Sequence, residues 1–164
     1  MYRRAAAFAA AAGGRATLGS GLGLGAAAPR PCGGDRPLIV GSGIDVVEIA
    51  RVERALARHG HRFEQRVFHP SELAGCRDRS RRAPFLAQRF AAKEALMKAV
   101  GTGWAQGVRW VDIEVVAGAE GFGIELYGEV AAVARRRGVA RIHLGLGRSR
   151  SLALAAVILD ASGS

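Results

Sequence analysis

The stretch Phe85–Gly103, FLAQRFAAKEALMKAVGTG, most constrains what this chain can fold into. It consists mainly of strong helix formers. It follows Pro84, whose missing N–H suits a first-turn position. It runs to Gly101, which can take the left-handed conformation that closes a helix. Leu86, Phe90 and Met97 recur at spacings of four and seven, which makes an apolar stripe. The pattern predicts a long helix with one face on a core. Glu94 and Lys98 lie one turn apart and share a face. Alone, such a pair is a solvated ion pair worth about 0.3–0.5 kcal/mol. Two features argue for more. The helix runs into Gly101-Thr102-Gly103, a glycine turn through which a backbone can approach a phosphate closely. A second carboxylate segment, Gly43-Ile44-Asp45-Val46-Val47-Glu48-Ile49, lies upstream.

In that upstream segment Ile39, Val40, Ile44, Val46 and Val47 favour a strand beginning near Leu38. Gly41 and Gly43 let the strand bend or let another backbone come close. A carboxylate at Asp45 is costly inside an apolar strand unless paired or bound to a cation; its other reading is an N-cap for the helix that follows. That helix is expected from Glu48 to His59, with Ile49, Val52 and Leu56 inward and Gly60 as its stop. Arg51, Arg54 and Arg58 share its outer face.

GSGIDVVEIARV followed by RFAAKEALMKAVGTG resembles the paired motifs of the holo-(acyl carrier protein) synthases, short 4'-phosphopantetheinyl transferases. The resemblance spans Ile39 to Asp160. It implies an α+β fold in which an antiparallel sheet wraps a long central helix. It also implies a homotrimer with active sites at subunit interfaces. The implied reaction moves the phosphopantetheine arm of coenzyme A onto a serine of an acidic acyl carrier protein, with Mg²⁺ as cofactor. Asp45 and Glu94 match the two metal carboxylates, and both count as catalytic together with Lys98, which matches a lysine near the pyrophosphate. Arg89, Lys93, Lys98, Gly101, Gly103 and Arg148 become the coenzyme A contacts. Arg51 and Arg54 become the carrier-protein docking residues.

The resemblance breaks at one place. Where the family usually carries a Ser-x-Ser-His-like motif, this chain has Gly145-Leu146-Gly147-Arg148. Arginine can hold a phosphate but accepts no proton near neutral pH, and His143 is out of register. The alternative reading is therefore an impaired relative that binds coenzyme A or carrier protein without efficient turnover.

The rest of the chain reads in order. His61–Phe68 is mixed, with Phe63, Val67 and Phe68 toward the core. Pro70 opens a short helix through Cys76. Arg77–Arg82 reads as a charged turn that can hold a phosphate. Val108–Val116 alternates, with Val111, Ile113 and Val115 on one face and Trp110, Asp112 and Glu114 on the other, which predicts a strand with one buried face. A turn over Gly118–Gly123, a strand over Ile124–Tyr127 and a helix over Glu129–Arg137 follow. Val139–Leu146 and Ser151–Leu159 then form a hairpin around Gly147-Arg148-Ser149-Arg150.

Lys and Arg number 24 against 14 Asp and Glu, a net charge of +10. A basic surface attracts acidic partners. Nucleic acid is set aside, because it would want aromatic platforms among the arginines. Trp104 and Trp110 lie outside the arginine clusters and aromatics are only 6%. No apolar run reaches the ~18 residues of a membrane span. Cys32 and Cys76 have no metal or redox spacing, which points to free thiols in a reducing cytoplasm. Residues 1–37 are read as a disordered Ala/Gly/Arg-rich extension, and 38–164 as the transferase domain. A start-site artefact, a natural tail and a transit peptide all stay open for the extension.

Overall fold

The computed structural model describes residues 38–76, 78–101, 107–118 and 121–161. The expectations for residues 1–37 and for Gly103 lie outside the described residues.

β1 (Leu38–Glu48) feeds directly into α1 (Ile49–Val67). After α2 (Pro70–Ala74) comes the long α3 (Arg79–Val100). A single 3-10 turn at Trp110–Asp112 leads to β2 (Ile113–Gly118) and β3 (Gly121–Leu126). The chain closes with α4 (Gly128–Arg136), β4 (Val139–Arg148) and β5 (Leu152–Ala161). The architecture is α+β with antiparallel pairing throughout the described strands. The β-structure is split in two: a sheet of order β1-β5-β4 and a separate β2-β3 ribbon.

α3 differs from its expected form at its start and along its length, while its end at Gly101 is as expected. It starts at Arg79, so Pro84 lies inside it and the charged turn expected over Arg77–Arg82 is largely its first turns. The reason is a cap that comes before the proline. The Asp78 carboxylate accepts from Ser80 N at 2.9 Å and from Ser80 Oγ at 2.7 Å, so the helix is nucleated there. Burial is nearly all round, not a single stripe. Leu86, Ala87, Ala91, Ala92, Ala95, Leu96 and Val100 have no exposed surface. Such a helix is a core element, and its alanines keep it thin enough for backbone to approach.

That approach positions β1. A Cβ built on Gly41 would lie 2.3 Å from Ala99 O, and one on Gly43 would lie 2.1 Å from Ala95 O. These glycines let the strand lie against the helix backbone. Gly43→Ala is therefore expected to destabilise the fold by about 1–3 kcal/mol, because both partners are main chain and cannot repack. A urea midpoint equal to that of the parent chain would show that β1 is free to lift away.

Other boundaries moved for local reasons. Gly60 does not stop α1; it kinks it, with φ 49 and ψ −129, and the helix resumes to Val67. The strand expected over Val108–Val116 begins only at Ile113, and it is buried on both faces there. Glu114 is 8% exposed, because it accepts hydrogen bonds from the Ser71 hydroxyl and, at 2.6 Å, from Tyr127 Oη. The final hairpin runs to Arg148 and turns at Ser149, whose hydroxyl accepts from Leu152 N at 3.0 Å.

The three-stranded sheet has two unlike faces. Val47, Ala153, Ala155, Val157 and Leu159 are buried against the helices. On the opposite face Ile44 is 63% exposed, Val46 54%, Leu154 43% and Ile158 41%. Among the described residues no helix is long and apolar enough to cross a membrane.

Candidate active site

The close contact of β1 with α3 brings Asp45 to Lys98. Lys98 Nζ donates to Asp45 Oδ1 at 2.7 Å and to Ile44 O at 3.1 Å. The Asp45 side chain is 15% exposed and that of Lys98 53%. Register explains the orientation. Asp45 pairs with Ala155, whose methyl is on the buried face, so its carboxylate points toward α3 and away from the open apolar face.

Glu94 lies one turn before Lys98 and is half-buried. Burial pushes its carboxyl above the ordinary range. The Asp45 charge adds to that, and Lys98 and Arg51 oppose it. The Lys98 ammonium is held above its usual value, chiefly by its hydrogen bond to Asp45, so it stays charged at neutral pH. The structure thus gathers Asp45, Glu94, Lys98 and Arg51 into one electrostatic unit drawn from β1, α1 and α3. Arg51 was expected only at the docking surface; its reach to Glu94 was not legible before the elements were placed.

The expected coenzyme contacts divide. Gly101 caps α3 in the left-handed conformation, with φ 67 and ψ 17, just past Lys98. Arg89 and Lys93 lie on another side of α3. Lys93 is wholly buried, and its ammonium meets Glu72 Oε2 at 2.7 Å, Val67 O at 2.9 Å, Trp110 O at 3.0 Å and Ile113 O at 2.6 Å. Four acceptors around three N–H donors leave nothing for a phosphate. The expectation that Lys93 contacts the cosubstrate thus meets a residue built into the core. Arg89 is 6% exposed, lies 3.3 Å over the Phe85 ring, and its Nε has no partner among the described residues. Burial depresses its pKa.

Arg148 is exposed at the end of β4, opposite Ala153, which is opposite Val47. It is two strand spacings of about 4.8 Å from β1 and is not brought to Asp45. His143 pairs in register with the outward Ile158, and its Nε2 meets Asp160 Oδ2 at 2.6 Å, on the sheet face away from Asp45. Arg82, from the expected phosphate-holding turn, is tied to Glu64 and Cys76 O, each at 2.7 Å. Arg51, Arg54 and Arg58 are all exposed on α1. Reading the sequence alone missed Arg137, whose guanidinium lies against Gly101; a run of three arginines at a helix end carries no signal of that contact.

Mg²⁺ suits this site. It takes hard oxygen ligands, commonly one or two carboxylates with water and phosphate filling the rest. Asp45 and Glu94 supply two carboxylates close enough for the Asp45 charge to disfavour that of Glu94, which is the electrostatic condition for a cation site. No cluster of three or more His, Cys, Asp or Glu exists among the described residues, so a bound ion would draw its other ligands from solvent and substrate.

Comparison with known proteins identifies the family. The profile of the 4'-phosphopantetheinyl transferase superfamily matches residues 41–157. A holo-[acyl-carrier-protein] synthase of Anaeromyxobacter sp. (strain K) is 50% identical over 129 residues, covering 77% of this chain and 99% of that protein. One from Halorhodospira halophila is 46% identical, covering 74% and 98%. The crystal structure of a holo-(acyl-carrier-protein) synthase from Bacillus anthracis in complex with CoA (3',5'-ADP) superposes with a TM-score of 0.61 at 35% identity, covering 76% of this chain and 98% of that one. That of the Helicobacter pylori synthase in complex with coenzyme A gives 0.63 at 28% identity, covering 72% and 98%. The chain belongs to the 4'-phosphopantetheinyl transferase superfamily, among its holo-[acyl-carrier-protein] synthases.

Proposed function

We propose that this chain transfers 4'-phosphopantetheine from coenzyme A to a serine of an apo acyl carrier protein, in fatty acid or polyketide synthesis. The proposal places it in the cytoplasm, dependent on Mg²⁺ and assembled as a homotrimer. Adenosine 3',5'-bisphosphate is the leaving group. The observation that carries the reading is the Asp45–Lys98 bond at 2.7 Å beside a half-buried Glu94.

The difficulty in such a transfer is charge: a serine oxygen must approach a pyrophosphate that is already anionic. Asp45 and Glu94 would hold Mg²⁺, which neutralises developing charge on phosphate oxygens. Lys98 has three N–H donors and uses two, on Asp45 and Ile44. The third is available to a phosphate oxygen of the leaving group, and the raised pKa keeps the donor charged. Backbone contact at Gly41 and Gly43 holds these groups in register, so little reorganisation accompanies the reaction.

A trimer would account for one otherwise awkward feature. An apolar sheet face carrying Ile44, Val46, Leu154 and Ile158 is expensive in water and suits burial against copies of itself. The basic face of α1 suits an acidic carrier. Arg51→Glu is expected to raise the KM for carrier protein about tenfold or more, since like charges at an interface are strongly unfavourable. The KM for coenzyme A should change much less; equal changes would remove Arg51 from the docking surface.

The deciding experiment is intact mass of an apo carrier protein incubated with this chain, coenzyme A and Mg²⁺, with an EDTA control. A phosphopantetheine-sized gain that EDTA prevents supports the transfer and the metal, and shows that Gly145-Leu146-Gly147-Arg148 suffices. No gain, from protein that still binds coenzyme A, favours the impaired relative.

A further inference from the structure

We propose that Arg137 is a phosphate ligand for coenzyme A, set against Gly101 at the C-terminal end of α3; the proposal rests on the transfer reading above. The C-terminus of a helix carries about half a negative charge. The end of α3 that presents Lys98 and Gly101 is therefore the wrong end for a diphosphate, and cations must offset it. Lys98 is partly committed, because Asp45 holds it at 2.7 Å.

Arg137 follows the last turn of α4 and reaches the same place. A Cβ built on Gly101 would meet Arg137 Nη2 at 3.2 Å, Nη1 at 3.4 Å and Cζ at 3.6 Å. Both terminal nitrogens are nearer than the carbon, so the open end of the guanidinium fork points at Gly101. A side chain there would occupy that space, and the left-handed backbone disfavours one in any case. Among the described residues the Arg137 side chain has no carboxylate partner and no hydrogen bond, while the adjacent Arg136 takes Glu129 at 2.8 Å. The dipole of α4 is already complemented by Arg135 and Arg136 in its last turn. Arg137 thus presents a bidentate donor set with no acceptor among the described residues, at the helix end where the cosubstrate's phosphates must be tolerated. Planar guanidinium forks match phosphate oxygens.

The test measures Kd for coenzyme A and for adenosine 3',5'-bisphosphate by calorimetry, and KM for coenzyme A, dephospho-coenzyme A and carrier protein. It compares the full chain with Arg137→Ala, Arg137→Gln and Arg137→Lys. Arg137→Ala and Arg137→Gln are expected to weaken coenzyme A about tenfold, the scale of one charged hydrogen bond. The KM for carrier protein should hold, and Arg137→Lys should recover part of the loss. A loss that vanishes with dephospho-coenzyme A assigns the contact to the 3'-phosphate. One that persists assigns it to the pyrophosphate. Unchanged Kd and KM for coenzyme A overturn the proposal. So does an equal rise of both KM values with a lowered melting temperature, which marks a purely structural cation at the end of α3. Parent protein that binds coenzyme A in an Arg137-dependent way but transfers nothing would overturn the transfer reading and leave the ligand assignment standing.

Discussion

Glu94→Gln is expected to lower the rate of transfer about a thousandfold, the scale of one preorganised electrostatic element, while leaving the fold at least as stable as before. The two halves of that expectation have one cause. Burial and the Asp45 charge raise the Glu94 pKa in the folded state. A carboxyl with a raised folded pKa binds protons more tightly folded than unfolded. Its contribution therefore turns unfavourable as pH rises from the unfolded value through the folded one, and the penalty is fully present above that window. Above that window the ionised Glu94 works against the fold, and glutamine removes the charge while keeping the shape. The checks are single-turnover transfer and urea unfolding at pH 5 and pH 8. The parent chain should lose stability relative to Glu94→Gln as pH rises. A variant that transfers at the parent's rate would remove Glu94 from the metal site. One that is dead and also destabilised would make it a structural residue.

Lys93→Met is expected to destabilise the chain by about 3–5 kcal/mol, the usual consequence of breaking a buried ion pair by removing one partner. The ammonium joins α3 to the chain near Val67, to the 3-10 turn and to β2 through three carbonyls. Its loss leaves Glu72 charged and unpaired, although Glu72 still accepts from His69 N at 2.7 Å and Val115 N at 3.2 Å. Adding Glu72→Gln should recover part of the deficit, because glutamine keeps one acceptor and removes the stranded charge. The urea midpoints of both singles and the double form the test. An unaltered midpoint for Lys93→Met, with a raised KM for coenzyme A, would return Lys93 to the cosubstrate.

These two residues are adjacent in sequence and opposite in setting, one sealed in the core and one half-exposed beside Asp45, and nothing local distinguishes them. On a helix one step is about 100°, so Lys93 and Glu94 face different neighbours. Which one meets the core depends on where α2, β2 and β1 pack. The same holds for Glu114, assigned to an open face by alternation but enclosed by Ser71 and Tyr127. Pro84 misled because a proline at the start of a good helical pattern reads as a first turn; the cap at Asp78 lay upstream, inside what looked like a charged loop.

What the sequence by itself determined is the local and the chemically scarce. It marked the long alanine-rich helix, the β-branched first strand, and glycines placed for a close backbone. These follow from propensity. It also marked Asp45, Glu94 and Lys98 as a set, through the resemblance carried by the two motifs around them. Tertiary structure alone decided which polar groups meet. Arg51 comes within electrostatic reach of Glu94, Lys93 is sealed on Glu72, Arg89 is turned away with an Nε idle among the described residues, and Arg137 is laid on Gly101. Those pairings join residues far apart in the chain, and their geometry is set by how strands and helices stack, which no local spacing encodes.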